Sequence, residues 1–214
     1  MYDIDFSCLD PIHHVLENVG DYLQDVHDVY TCIEGKDVLE IAAQTGTLLP
    51  LFLKFIPKSY IGIEPDAGSY HILNLRLNKV KTFPAEALNL QYENFTTRKN
   101  IDVVICNGLL YHLHSPFHLI EYLGNLGADT IILETTGTEN DLSNKMFLRG
   151  EPVGDAGNRQ TDNNPLNFTL HIGSSVMISA FEQLGYELSC KRHTALPQVA
   201  SKHNVNTYIF EKTL

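Results

Sequence analysis

Residues Lys36-Asp37-Val38-Leu39-Glu40-Ile41-Ala42-Ala43-Gln44-Thr45-Gly46 form a short apolar run that ends in an acid and passes into a turn of small residues. The apolar content predicts a strand, and Thr47 to Phe55 predicts a helix that Pro57 ends. A strand, a tight turn and a helix N-terminus present backbone N–H groups and the positive end of a helix dipole to a ligand, so this unit is a candidate cofactor-binding edge. About twenty residues on, Ser59-Tyr60-Ile61-Gly62-Ile63-Glu64 predicts a second strand that also ends in an acid, with Pro65 next. One βα unit brings neighbouring strand ends together, and a carboxylate there accepts hydrogen bonds from both hydroxyls of a ribose.

The rest of the chain alternates in the same way. Ile12, Val15, Leu16, Val19, Leu23, Val26 and Tyr30 recur at helical spacing behind Asp10 as N-cap and Pro11 in the first turn. Asp66 to Asn78 predicts a helix, followed by a short strand near Val80 to Phe83. The near-continuous apolar run Ile101 to Cys106 reads as a central parallel strand covered on both faces. A helix is expected from Ser115 to about Leu126, and a strand from Thr130 to Glu134. Thr135 to Ile172 is rich in Gly, Asn, Asp and Pro without a sustained period, which predicts a long irregular insertion. Ser174 is placed to cap a last helix that Gly185 stops after Leu184. Strands at Glu187 to Arg192 and Asn206 to Glu211 bring the total to seven. No helix separates those two, so they form an antiparallel hairpin at one sheet edge. The expected fold is α/β: a doubly wound, mostly parallel, Rossmann-like seven-stranded sheet with an antiparallel last strand.

A chain of 214 residues with 43% hydrophobic content buries one sizeable core, which makes 1–214 a single domain. Within it, 1–35 would be an N-terminal helical lid and 135–172 a substrate-side insertion. The 26 acidic against 15 basic residues give a net charge of -11, which disfavours contact with nucleic-acid phosphates or an anionic membrane and favours a small-molecule substrate. Cys8, Cys32, Cys106 and Cys190 are far apart, so no zinc site or disulfide framework is indicated. The first residues lack the basic and apolar regions of a signal peptide, and no apolar run approaches bilayer length, so a cytoplasmic location is expected. Oligomeric state is not legible from these features.

The first two segments resemble the opening motifs of class I S-adenosylmethionine-dependent methyltransferases. Their usual form is a strand, then Glu/Asp-x-Gly-x-Gly-x-Gly, then a strand ending in an acid. Glu40, Ala42, Gln44 and Gly46 fall on that pattern, with Ala42 and Gln44 in the places of the first two glycines, and Glu64 on the second acid. A side chain at Gln44 either crowds the ligand or replaces a water with its amide, and it resists a positive φ. The resemblance covers roughly residues 36 to 212 and includes a reversed last strand. It implies S-adenosyl-L-methionine as cofactor, with its methionine end at Glu40 to Gly46, its ribose at Glu64 and Pro65, and its adenine near Glu86. Cys106-Asn107-Gly108-Leu109-Leu110-Tyr111-His112-Leu113-His114-Ser115-Pro116 looks like the G-(V/L)-L-Y-H-x-x-x-P signature of a subgroup. That subgroup includes the transferases of the transfer-RNA wobble uridine and many enzymes acting on sugars and small metabolites.

Ligands of open α/β sheets bind beyond the carboxyl ends of the strands at the switch point, where Asn107, Gly108, Tyr111 and His112 are expected. His112 could take a proton from a hydroxyl or amine acceptor, or else bond to the backbone or cap the next helix. Tyr111 would orient the acceptor or be core. His112, His114 and His118 are spaced for a metal, but no nearby acid completes a ligand set, and no metal is expected. In the insertion, Arg149 and Arg159 could hold an acceptor carboxylate or phosphate. The expected activity is therefore methyl transfer to a small polar acceptor. The alternatives are a non-catalytic module of the same fold that binds a ligand or protein, and a wobble-uridine transfer-RNA enzyme.

Overall fold

A computed structural model of the chain describes residues 26–96, 100–136, 146–150, 168–195 and 204–213. Seven strands form the main sheet: β1 (Asp37–Ile41), β2 (Ser59–Ile63), β3 (Ala85–Leu88), β4 (Val103–Asn107), β5 (Thr130–Thr136), β8 (Tyr186–Ala195) and β9 (Asn204–Lys212). Their spatial order is β3-β2-β1-β4-β5-β9-β8. β1 to β5 are parallel, while β9 runs antiparallel to both β5 and β8. The chain starts at β1, steps outward to β2 and β3, and returns to β4, so the switch point lies between β1 and β4. β6 (Met146–Gly150) and β7 (Phe168–Ile172) pair as a separate antiparallel ribbon.

The central strands are apolar on both faces at most positions because helices cover both faces. On one face Leu39, Ile41, Val104, Cys106, Ile131, Leu133, Tyr208 and Phe210 pack against α3 (Pro116–Asn125) and α4 (Ser174–Gln183). On the other, Val38, Val103, Ile105, Ile132 and Tyr60 pack against α1 (Leu49–Phe55), α2 (Ala67–Leu77) and the 3-10 turn His27–Ile33. Phe181 stacks on Phe210 with ring centroids 4.1 Å apart, which ties α4 to the reversed strand. Truncating such a buried ring to alanine costs about 3–5 kcal/mol.

Several expectations are corrected. The strand expected at Val80–Phe83 lies at Ala85–Leu88: the chain bends at Thr82 and Phe83, and only then does the Pro84 carbonyl take the Tyr60 N–H that opens the ladder with β2. The insertion is not wholly irregular, since Met146–Gly150 and Phe168–Ile172 pair; two five-residue runs are too short to show a period among so many turn formers. Ser174 does not cap α4. Gly173 is the N-cap, and the Ser174 hydroxyl is bonded to Tyr208 instead. Of the expected N-terminal helix, residues 1–25 lie outside the described residues, and His27–Ile33 is 3-10. Among the described residues no helix is long and apolar enough to cross a membrane.

Candidate active site

The parallel ladders bring the strand ends level. Ile41 pairs with Ile63 and with Cys106, so Ala42, Glu64 and Asn107 come next in one row at the switch point. Ala42 and Gln44 both adopt left-handed backbone, with φ of 58° and 48°, and Gly46 follows at 84°. The turn thus keeps a glycine-like conformation at two positions that carry side chains. Tertiary bonds hold it there. Glu64 accepts from the Gln44 N–H at 2.8 Å through one oxygen and from the Asp66 N–H at 2.8 Å through the other. The Ala43 N–H donates to the Ile63 carbonyl at 3.0 Å. The buried Arg76 guanidinium donates to the Thr45 carbonyl at 2.5 Å. Gly46 has a steric reason as well, because a Cβ there would stand 3.0 Å from Leu73 of α2.

Beneath the turn, the Glu40 carboxyl is buried and accepts from the Tyr60 hydroxyl at 2.6 Å. Gly62, paired with Glu40 across the ladder, makes this possible: a Cβ at that position would lie 2.6 Å from the Tyr60 hydroxyl. Burial pushes the Glu40 carboxyl up from 4.5 to about 8; the Tyr60 bond opposes this and the Glu64 charge adds to it. Desolvation at this position favours the neutral carboxyl.

Asn107, at the end of β4, donates from its side-chain nitrogen to the Tyr30 hydroxyl at 2.6 Å, tying the 3-10 turn to the switch point. Gly108 takes φ of 70°, and its N–H donates to the Glu134 carbonyl at 3.1 Å. The Tyr111 hydroxyl lies 3.3 Å from where a Gly108 Cβ would be. Tyr111 and His112 sit on the 3-10 turn Leu110–His112 with ring centroids 4.3 Å apart; Tyr111 is half-buried and His112 exposed.

The structure therefore brings together Glu40, Ala42, Gln44, Gly46, Glu64 and Pro65 on one side of the switch point, and Asn107, Gly108, Tyr111 and His112 on the other. Glu86 stands apart. It is exposed in the interior of β3, paired with Ile61, whereas Asn89 follows Leu88 level with Glu64. Asn89 donates to the Glu64 and Pro65 carbonyls at 2.9 and 3.0 Å. Arg149 lies on β6 opposite Thr169, and Arg159 is outside the described residues. Among the described residues no group of three or more His, Cys, Asp or Glu is placed to hold a metal ion. Tyr60, Gly62, Tyr30 and Asn89 were not foreseen. A glycine within an apolar strand, two residues after a tyrosine, is the signal that could have found the first pair.

This fold agrees with the comparisons. A family model described as a methyltransferase domain matches residues 13–196, and the chain belongs to that family. The tRNA U34 carboxymethyltransferase of Helicobacter pylori is 27% identical over 115 residues, 49% of this chain and 44% of that protein. The Nautilia profundicola enzyme of the same name is 28% identical over 114 residues, 48% and 36%. The matched stretch thus spans less than half the length of these relatives. Among solved structures, magnesium protoporphyrin IX methyltransferase from Synechocystis PCC 6803, with S-adenosylmethionine bound, superposes with TM-score 0.64 at 13% identity, covering all of this chain and 86% of that one. The Burkholderia thailandensis 1,6-didemethyltoxoflavin-N1-methyltransferase, with its substrate and S-adenosylhomocysteine bound, gives 0.63 at 11%, covering all of this chain and 94% of that one. At such identities the likeness defines the fold.

Proposed function

We propose that the chain transfers a methyl group from S-adenosyl-L-methionine to a small polar acceptor. The observation that carries this reading is the turn after β1. Ala42 and Gln44 hold the left-handed backbone, and Glu64 clamps the Gln44 N–H. That conformation is the one glycines would give such a turn, and it supports the reading even though the glycines are replaced. A carboxylate offers about four lone-pair sites, and Glu64 would accept from a ribose as well as from the Gln44 and Asp66 N–H groups. The residues fit the cofactor. The Glu40 to Gly46 turn would take its methionine end, Glu64 and Pro65 its ribose, and the segment from Leu88 to Leu90 its adenine, in place of Glu86. When bound, the cofactor supplies an electrophilic methyl group on a sulfonium.

The chain's own part is alignment and proton handling. The Tyr111 hydroxyl over Gly108 would orient the acceptor at the switch point, and the exposed His112 imidazole would take its proton. Arg149 would contribute from the ribbon, and Arg159 from the same insertion. A calorimetric titration with S-adenosylmethionine and S-adenosylhomocysteine tests the cofactor reading, with an acceptor screen to follow. Micromolar binding supports it. No binding to folded protein would return the chain to a non-catalytic, ligand- or protein-binding module. His112→Ala lowers turnover more than affinity if the imidazole is the base. A second reading, transfer to the wobble uridine of transfer RNA, is favoured by the two relatives named above; the net charge of -11 weighs against it.

A further inference from the structure

On the sheet face that carries α4, the row Cys106, Leu133, Tyr208, Lys191 runs across β4, β5, β9 and β8. It begins apolar and ends in a half-buried ammonium. Lys191 Nζ donates to the Ser174 hydroxyl at 3.2 Å and lies 5.4 Å from the centroid of the Tyr208 ring. Ser174 and Tyr208, both buried, share a hydroxyl–hydroxyl bond of 2.6 Å behind it. Toward the carboxyl edge on the same face, His193 Nδ1 meets the side-chain oxygen of the buried Asn206 at 2.8 Å. Arg192, between them, points to the opposite face and pairs with Asp28.

Among the described residues, the Lys191 ammonium has more donors than acceptors around it. An ammonium carries three N–H donors, and Ser174 takes one. Among the described residues no carboxylate stands within ion-pair distance of Lys191. In a chain of net charge -11, this cation has no carboxylate partner among the described residues and stands beside buried hydroxyls. Its place connects it with the reaction: β7 packs on the 3-10 turn that carries Tyr111, and then passes through Gly173 directly into Ser174. At about 4.8 Å per strand, Lys191 lies roughly 14 Å across the sheet from β4 at backbone level.

We propose that Lys191, backed by the Ser174–Tyr208 hydroxyl pair, is an anion subsite for a carboxylate or phosphate carried by a small methyl acceptor. This rests on the methyl-transfer reading and names its substrate class. The test uses the full chain, titrated by NMR with sodium phosphate and with sodium succinate at constant ionic strength, beside a calorimetric titration with S-adenosylmethionine. Saturable shifts near Lys191 are expected, about tenfold or more weaker in Lys191→Met, partly restored in Lys191→Arg, with cofactor affinity unchanged in all. Lys191→Gln serves as a second variant if the methionine change disturbs folding. Equal binding in Lys191→Met and Lys191→Gln, or no saturable binding to wild type, overturns the subsite. Cofactor binding without anion binding removes the subsite alone; anion binding without cofactor binding removes the methyl-transfer reading. Oligouridylate binding far tighter than phosphate, with the same dependence on Lys191, would replace the small acceptor with RNA.

Discussion

The two loops that flank the switch point solve the same steric problem in opposite ways. After β4 the left-handed residue is Gly108, with φ of 70°. After β1 the left-handed positions are Ala42 and Gln44. An L-residue in that region costs about 1–2 kcal/mol, which glycine avoids. The β1 loop offsets the cost with partners from other elements: the Glu64 carboxylate, the Ile63 carbonyl and the Arg76 guanidinium. A hydrogen bond to a charged group is worth about 1.5–3 kcal/mol, enough for one clamp to offset one strained residue. The conformation of this loop therefore belongs to the assembled fold, while that of the β4 loop belongs largely to its own residue.

The largest expected effect concerns what precedes each loop. β1 ends in an acid and a tyrosine partner, whereas β4 ends in the neutral Asn107. Glu40 holds its proton in the folded chain up to pH about 8 but releases it near 4.5 when unfolded. Between those values the folded state binds the extra proton, so its stability falls as pH rises. The slope is about 1.4 kcal/mol per pH unit for this one group. Glu40→Gln keeps an acceptor for Tyr60 and removes the titration. Its stability relative to wild type, from urea unfolding, should rise by several kcal/mol from pH 5 to pH 8. A difference independent of pH would show that Glu40 is ionised in the fold.

Glu64→Gln attacks the clamp itself. The amide keeps one acceptor oxygen, so one of the two backbone bonds loses its partner and the other its charge. A loss of about 1.5–3 kcal/mol is expected, read as a ten- to hundredfold weaker cofactor affinity in calorimetry, with a lower melting temperature. Unchanged affinity would mean that the β1 loop holds its shape without Glu64. Gly108→Ala makes the β4 loop resemble its counterpart without supplying clamps. The new Cβ meets left-handed strain and the Tyr111 hydroxyl at 3.3 Å. The expected cost is about 1–2 kcal/mol by thermal unfolding.

The same contrast separates what the sequence made legible from what it did not. Most main-sheet strands, their parallel order and the reversed hairpin follow from local patterns: the apolar run at Ile101–Cys106, the helical stretch from Asp66 to Asn78, and the lack of a helical pattern between the last two predicted strands. Glu64 could be placed because one βα unit fixes where it arrives. Glu86 could not, since β3 lies at Ala85–Leu88 rather than at Val80–Phe83, which puts Glu86 inside the strand and Asn89 at its end. Tyr60 beneath Glu40, Tyr30 on Asn107 and Lys191 on Ser174 join segments 20, 77 and 17 residues apart through side-chain direction alone. No periodicity carries that information.

Gln44→Gly is the smallest expected effect and the sharpest comparison. It removes the left-handed strain at the centre of the β1 loop, worth about 1 kcal/mol or slightly more. It also gives the unfolded chain more freedom, which costs about 0.4–1 kcal/mol. The two nearly cancel, so stability should change by less than about 1 kcal/mol, in contrast to the clear loss on Gly108→Ala. Gln44 is exposed and its backbone N–H, which glycine retains, makes the bond to Glu64. Cofactor affinity should then be equal or tighter, as only crowding has been removed. A large loss of affinity at unchanged stability would show that the Gln44 amide itself contacts the ligand, and that the chain has replaced a glycine with a recognition group.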